Sequence, residues 1–146
     1  MTAHNANAAA EIRALIDDRA KAIRAKDVEG STAGYAPDVL LFDVVSPLRY
    51  VGRDAVRKRL AEWFSSFEGP LGFEQRDLGI RAQHDVAFVH SLNRVTATTI
   101  DGTKLDMWWR ATVCWRRTGG TWRITHEHAS VPFDAASGHA SLGLKP

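Results

Sequence analysis

The stretch WRITHEHASVPFD, Trp122 to Asp134, places His126 and His128 two residues apart with Glu127 between them. Imidazoles at that spacing suit metal ligation, proton transfer near neutral pH, or hydrogen bonding on a strand. Alternation along a strand sorts the stretch into two sets. Trp122, Ile124, His126, His128 and Ser130 share one side; Arg123, Thr125, Glu127, Ala129 and Val131 share the other. The large apolar groups that begin the first set place it inside. Both histidines then become pocket groups, and Glu127 faces outward. A metal would need a further ligand from His90 or Asp43. A strand pair at the very end of a chain with a helical first half does not fit a jelly roll, so no metal is expected.

Two further residues could do chemistry. Asp43 lies in the apolar run LLFDVV, where it is either a strand-end carboxylate bonded to the next loop or a pocket general base. Arg19 follows Ile12, Leu15 and Ile16 by seven, four and three positions, so a cation points along an apolar helix stripe. It either snorkels to water or sits buried, ready to hold a carboxylate or an enolate. Should the two approach each other, they become halves of one salt bridge.

The elements that must position these groups are legible as pattern. Ile12, Leu15, Ile16, Ala20 and Ile23 mark a first helix. Asp27 N-caps a short second helix that APD at 36–38 ends, and VLLFDVV reads as a strand. Gly52 opens a third helix whose stripe is Val56, Leu60, Trp63, Phe64 and Phe67, with Arg53, Arg57, Lys58, Arg59 and Glu62 largely opposite; EGP at 68–70 stops it. The second half reads as four long strands separated by His84-Asp85, Asp101-Gly102 and Gly119-Gly120. The expected class is therefore α+β, with helices on one face of a meander.

On the third long strand, Asp106, Trp108, Arg110, Thr112 and Cys114 share a side; Leu105, Met107, Trp109, Ala111, Val113 and Trp115 share the other. Both are rich in tryptophan. The Arg110 side is expected to line the pocket, and the Trp109–Trp115 side to be covered by a second copy in a homodimer. On the strand before it, the pattern does not choose between His90 and Asn93.

Bulk properties narrow the partners. The chain has 146 residues, 45% hydrophobic and 25% charged, with a net charge of +2, which suits one globular domain and forces neither a nucleic-acid nor a membrane partner. Cys114 is the sole cysteine, so there is no intrachain disulfide. The N-terminus lacks the pattern of a signal peptide, and a cytoplasmic protein is expected. One domain is expected over 1–146, ordered from about 8 to 133, with 134–146 a loose tail.

This order of elements resembles the cone-shaped α+β fold of the nuclear-transport-factor-2-like superfamily, which includes SnoaL-like polyketide cyclases, scytalone dehydratase and ketosteroid isomerase. The segment KDVEGSTAGYAPDVLLFDVVSPLRYVGRDAV is similar, without a gap, to the isomerase from its first helix to its third. Asp27, Tyr35-Ala36, Asp38, Pro47 and Gly52 fall in similar places. The closing pattern W-R-I-T-H-E-H-A-S-V-P-F resembles small SnoaL-like proteins. The resemblance implies that Asp43 occupies the general-base position. Arg19 stands where the isomerase has an oxyanion-hole tyrosine, and only Thr112 or Arg110 falls near its second, acidic donor.

Two functions follow as expectations. In the first, a pocket lined by Tyr35, Phe42, Trp63, Phe67, His90 and Trp108 holds a small hydrophobic or aromatic molecule. There Asp43 abstracts a proton next to a carbonyl, Arg19 or Arg110 stabilises the enolate, and His126 or His128 returns the proton, with no cofactor. That is isomerase, cyclase or dehydratase chemistry, and the ligand could be anionic. In the second, the same fold is a binding or association module without turnover.

Overall fold

The computed structural model describes residues 2–146. The described residues form three helices and six strands: α1 Ala3–Arg24, α2 Val28–Thr32, β1 Tyr35–Phe42, β2 Tyr50–Val51, α3 Arg53–Ser65, β3 Phe67–Gln83, β4 Val86–Thr99, β5 Lys104–Thr118 and β6 Thr121–Ser130. The strands make one curved, unclosed sheet in the order β2-β1-β6-β5-β4-β3. β3 to β6 are the antiparallel meander that the turn signals announced. His84-Asp85 and Gly119-Gly120 each close a two-residue hairpin. β1 then joins the far side of β6 in parallel, which carries the first half of the chain onto the sheet. No helix among the described residues is long and apolar enough to cross a membrane.

Local rules account for the helix starts. The Thr2 hydroxyl accepts the Asn5 amide, and Asp27 accepts the Gly30 amide at 3.0 Å, each satisfying an orphan donor of a first turn. α1 buries Ala8, Ile12, Ile16 and Ile23, while Leu15 stands half out of the stripe. Two boundaries differ from expectation. α2 ends at Thr32, and Tyr35 to Asp38 already belong to β1, with Tyr35 paired to Ile124. Phe67 opens β3 instead of closing α3, and Gly69-Pro70 sits at an irregularity of that strand, where pairing skips from Glu68 to Gly72. Asp134 caps a turn by accepting the Ala136 amide and the Ser137 hydroxyl, Phe133 bridges to Ala140, and the chain returns toward the sheet.

α1 and α3 cover one face of the sheet. Two apolar clusters fill the space between, one around Ile12, Val39, Trp115 and Ile124, the other around Ile23, Phe64, Phe73 and Val95. Trp115 is only 3% exposed, so the Trp109–Trp115 side of β5 belongs to the interior and not to a dimer surface. The Arg110 side faces away from the helices instead. There Arg110 bonds Ser130, and Trp108 lies beneath the guanidinium groups of Arg76 and Arg94. Arginine stacking lets a half-buried tryptophan sit on an uncovered sheet face.

Candidate functional site

β6 decides the site. Trp115 pairs with Ile124, but Cys114 pairs with His126, so one extra residue, Thr125, is inserted in β6. A bulge of this kind re-aims everything beyond it. Trp122 and Ile124 point inward as alternation predicts. After the bulge the sides exchange: Glu127, Ala129 and Val131 line the interior pocket, and Glu127 is 8% exposed.

The pocket holds about 450 Å³, in the range typical of small-ligand sites. Ile23, Phe73, Val95, Met107 and Trp109 form most of its wall, with Leu60 and Trp63 contributed by α3. Val44 and Val45, after β1, and Ala140 and Leu142, on the returning C-terminal segment, complete its rim. Five polar side chains enter this apolar space: Arg19, Tyr35, Glu127, Asp43 and Arg59, with Asn93 on the sheet wall.

They form two groups. In the first, Arg19 Nη2 donates to the Tyr35 hydroxyl at 2.6 Å, and that hydroxyl donates in turn to Glu127 Oε2. Arg19 Nη2 also faces Glu127 Oε2 at 3.7 Å, and its Nε donates to the Ser31 carbonyl at 3.2 Å. Burial pushes the Tyr35 phenol well above its ordinary pKa of 10.0, and Glu127 adds to the rise against the pull of Arg19. Burial opposes the Arg19 charge, but the Tyr35 and Glu127 oxygens more than offset it and hold its pKa above the ordinary value. In the second group, Asp43 Oδ2 accepts from Arg59 Nε at 2.9 Å and Asp43 Oδ1 accepts from the Val44 amide at 2.7 Å. Arg19 and Asp43 therefore share one cavity without pairing with each other.

Residues 12–134 match the family model for the SnoaL-like domain. The chain belongs to that SnoaL-like family. An NTF2-like protein of unknown function from Pseudomonas putida is 37% identical to it, covering 97% of this chain and 98% of that one, with a TM-score of 0.88. An NTF2-like superfamily protein from Salmonella enterica is 16% identical over 91% of this chain and 96% of its own, at a TM-score of 0.78. A ketosteroid isomerase-like protein from Erwinia carotovora is 22% identical over 84% of this chain and 94% of its own, at 0.71. The last two likenesses show the fold alone. No curated protein matches the chain at a significant level.

Within this SnoaL-like domain, the residues singled out in the sequence fall on both sides of the sheet. Arg19, Tyr35, Asp43 and Trp63 meet in the pocket. Phe67 is buried beside Trp63 in the apolar cluster below it, with ring centroids 5.3 Å apart. The remaining six are corrections. Phe42, His126 and His128 pack together on the outer face, with the Phe42 ring edge-to-face to the two imidazoles at 4.8 and 5.4 Å, and His126 Nδ1 bonds the Leu40 carbonyl oxygen at 2.7 Å. The bulge at Thr125 puts the histidines there. His90 is also outside, resting on bare backbone: a Cβ at Gly79 would lie 2.5 Å from its ring. Trp108 and Arg110 are outside because the helices cover the odd-numbered side of β5. Among the described residues no three His, Cys, Asp or Glu side chains gather closely enough to share a metal ion.

Three further polar residues line the pocket: Arg59 and Glu127, which the sequence pattern places on the opposite sides of their elements, and Asn93, which it leaves open against His90. Arg59 lies three positions after Val56 and four before Trp63, so its place on the buried stripe was readable from spacing. Asn93 shares its side of β4 with Val89, Ser91 and Val95, is 4% exposed, and accepts the Ser91 hydroxyl at 2.7 Å. Glu127 had no local signal, because only the bulge turns it inward. A separate shallow cleft beside α2 and α3 carries Arg53, Arg57 and Arg123. Its Arg53 is spent on the Tyr35 carbonyl and its Arg57 on Glu29 and Asp54, so it is the weaker candidate.

Proposed function

We propose that this domain binds a small, largely apolar molecule bearing a carbonyl and, without a cofactor, moves a proton next to that carbonyl, as an isomerase, cyclase or dehydratase does. One observation carries the reading: two carboxylates, two guanidinium groups and a tyrosine converge on a cavity with otherwise apolar walls. Ion pairs placed there add little stability over apolar replacements of the same volume, so a chemical use explains them better than folding does. Arg19 is paired with Glu127 and Asp43 with Arg59, which makes the site neutral overall. That balance favours a neutral ligand that becomes an enolate over one that arrives as an anion. Arg19 is the group placed to meet the developing negative charge. The test is hydrogen–deuterium exchange at the carbon next to the carbonyl of 2-tetralone in D₂O, followed by proton NMR. Saturable exchange well above buffer, inhibited by 2-naphthol as a mimic of the enol, is the expected result. Tight 2-naphthol binding with no exchange would leave a ligand-binding module.

The assembly proposed with it is a homodimer through the outer sheet face. Phe88 is 49% exposed there, in line with His90 and Leu92 on the same side of β4. Arg94 and Asp106 on that face already satisfy each other through two bonds of 2.8 Å, so an apolar partner surface would not strand their charges. Light scattering at micromolar concentration should give twice the chain mass of 16.1 kDa, and Phe88→Lys should give the single mass. A wild-type monomer would refute the assembly.

A further inference from the structure

We infer that Glu127, rather than Asp43, is the carboxylate that takes the proton from the ligand. The inference rests on the carbonyl reading above and departs from what likeness to the isomerase implies for Asp43.

The first reason is which oxygens are free. Both Asp43 oxygens are engaged, one by a charged Arg59 bond of 2.9 Å and one by the Val44 amide. To accept a ligand proton, Asp43 must weaken a charge-assisted bond, the stronger class of hydrogen bond. Glu127 is different. Its Oε2 takes the Tyr35 hydroxyl and faces Arg19, while its Oε1 accepts no hydrogen bond among the described residues. Nor is the carboxylate sealed in protein, since the Glu127 side chain keeps 11% of its surface exposed and lines the pocket. One oxygen of this carboxylate is tethered and the other is open to a ligand.

The second reason is what stands beside it. A carbonyl oxygen and the hydrogen on the neighbouring carbon sit side by side, so the base and the group that stabilises the enolate must be neighbours. Arg19 and Glu127 are neighbours at 3.7 Å. Arg19 commits Nε to Ser31 and Nη2 to Tyr35, and its Nη1 makes no hydrogen bond among the described residues. Asp43 is further off. Leu41 pairs with Glu127 in parallel, so Asp43 lies two residues along and one strand across. That geometry corresponds to about 8 Å between the Asp43 and Glu127 α-carbons.

The third reason is the bulge itself. Regular alternation would leave Glu127 in solvent, and one inserted residue turns its carboxylate into the pocket.

The step is then balanced as follows. Glu127 Oε1 takes the proton from the carbon next to the carbonyl. The C–H electron pair becomes the new C=C bond, and the carbonyl π pair moves onto oxygen beside Arg19 Nη1. The proton returns from Oε1 to the same carbon, giving exchange, or to a conjugated one, giving isomerisation. Tyr35 keeps its own proton and holds Oε2 in place. Asp43 with Arg59, at the rim, orients the rest of the ligand.

Exchange at saturating 2-tetralone tests this in the full chain. Glu127→Gln should lower the rate at least 100-fold, the usual contribution of a positioned base. Asp43→Asn should lower it at least tenfold less than that. Retained 2-naphthol binding and an unchanged circular dichroism spectrum show that each variant is folded. Should Glu127→Gln fail to fold, Glu127→Asp carries the test: it keeps the charge opposite Arg19 but withdraws the oxygen by a methylene. Exchange must then fall at least tenfold while 2-naphthol affinity stays within threefold. A larger loss in Asp43→Asn than in Glu127→Gln, or undiminished exchange in a folded Glu127 variant, overturns the assignment and leaves the carbonyl reading standing. Absence of exchange in the wild type sinks both.

Discussion

Arg19→Met lowers the unfolding free energy by about 3–5 kcal/mol, the range seen when one partner of a buried ion pair is removed. The cause is the group left behind. Without Arg19, the Glu127 carboxylate keeps only the Tyr35 hydroxyl in a cavity whose walls are largely apolar, and Tyr35 loses the donor on its own oxygen. The effect should therefore be strongly non-additive. Glu127→Gln in the Arg19→Met background removes the stranded charge and recovers part of the loss, with a coupling energy on the order of 2 kcal/mol. Urea titrations of the wild type, both single variants and the double variant supply the cycle. Additive single effects would mean that Arg19 and Glu127 do not share their charges, and the picture of a paired pocket would fail.

The second large effect is alkaline. The Tyr35 pKa in the folded protein lies well above 10.0, chiefly because of burial. The unfolded chain releases that proton near pH 10, whereas the folded chain keeps it. Above pH 10 the unfolded state therefore binds fewer protons, and stability falls as pH rises, by up to about 1.4 kcal/mol per pH unit from this one group. The contribution is fully present below pH 10 and is lost as pH climbs toward the folded-state pKa. Tyr35→Phe removes the term. The difference between wild type and Tyr35→Phe in urea midpoint should be constant at pH 8 and 9 and shrink at pH 11. Absorbance at 295 nm should show Tyr35 ionising only as the protein unfolds. Parallel pH dependences in the two proteins would place the phenol in contact with solvent, contrary to the geometry of the site.

Much of the molecule was legible without coordinates, and for local reasons. The helix stripe from Ile12 to Ile23, the Asp27 cap and the turn pairs His84-Asp85 and Gly119-Gly120 each depend on residues a few positions apart, so their spacing carries the information. The same holds for Arg19 inside an apolar stripe and for Asp43 at the end of an apolar strand, and both do reach one cavity. Arg59 is equally local, since its spacing from Val56 and Trp63 puts it on the buried stripe of its helix.

What the tertiary structure alone decided was direction. A strand has two faces, and when both are rich in tryptophan, as in β5, only the helices that pack on one of them say which is inside. A side-chain period of two means that a single inserted residue exchanges the faces of everything beyond it. Thr125 is that residue, and nothing in THEHAS marks it, because a bulge is a relation between β6 and β5 rather than a property of either strand. The histidines that looked most like chemistry therefore face away from the pocket. The glutamate between them faces in, against an arginine and a tyrosine that the chain supplies about a hundred residues earlier.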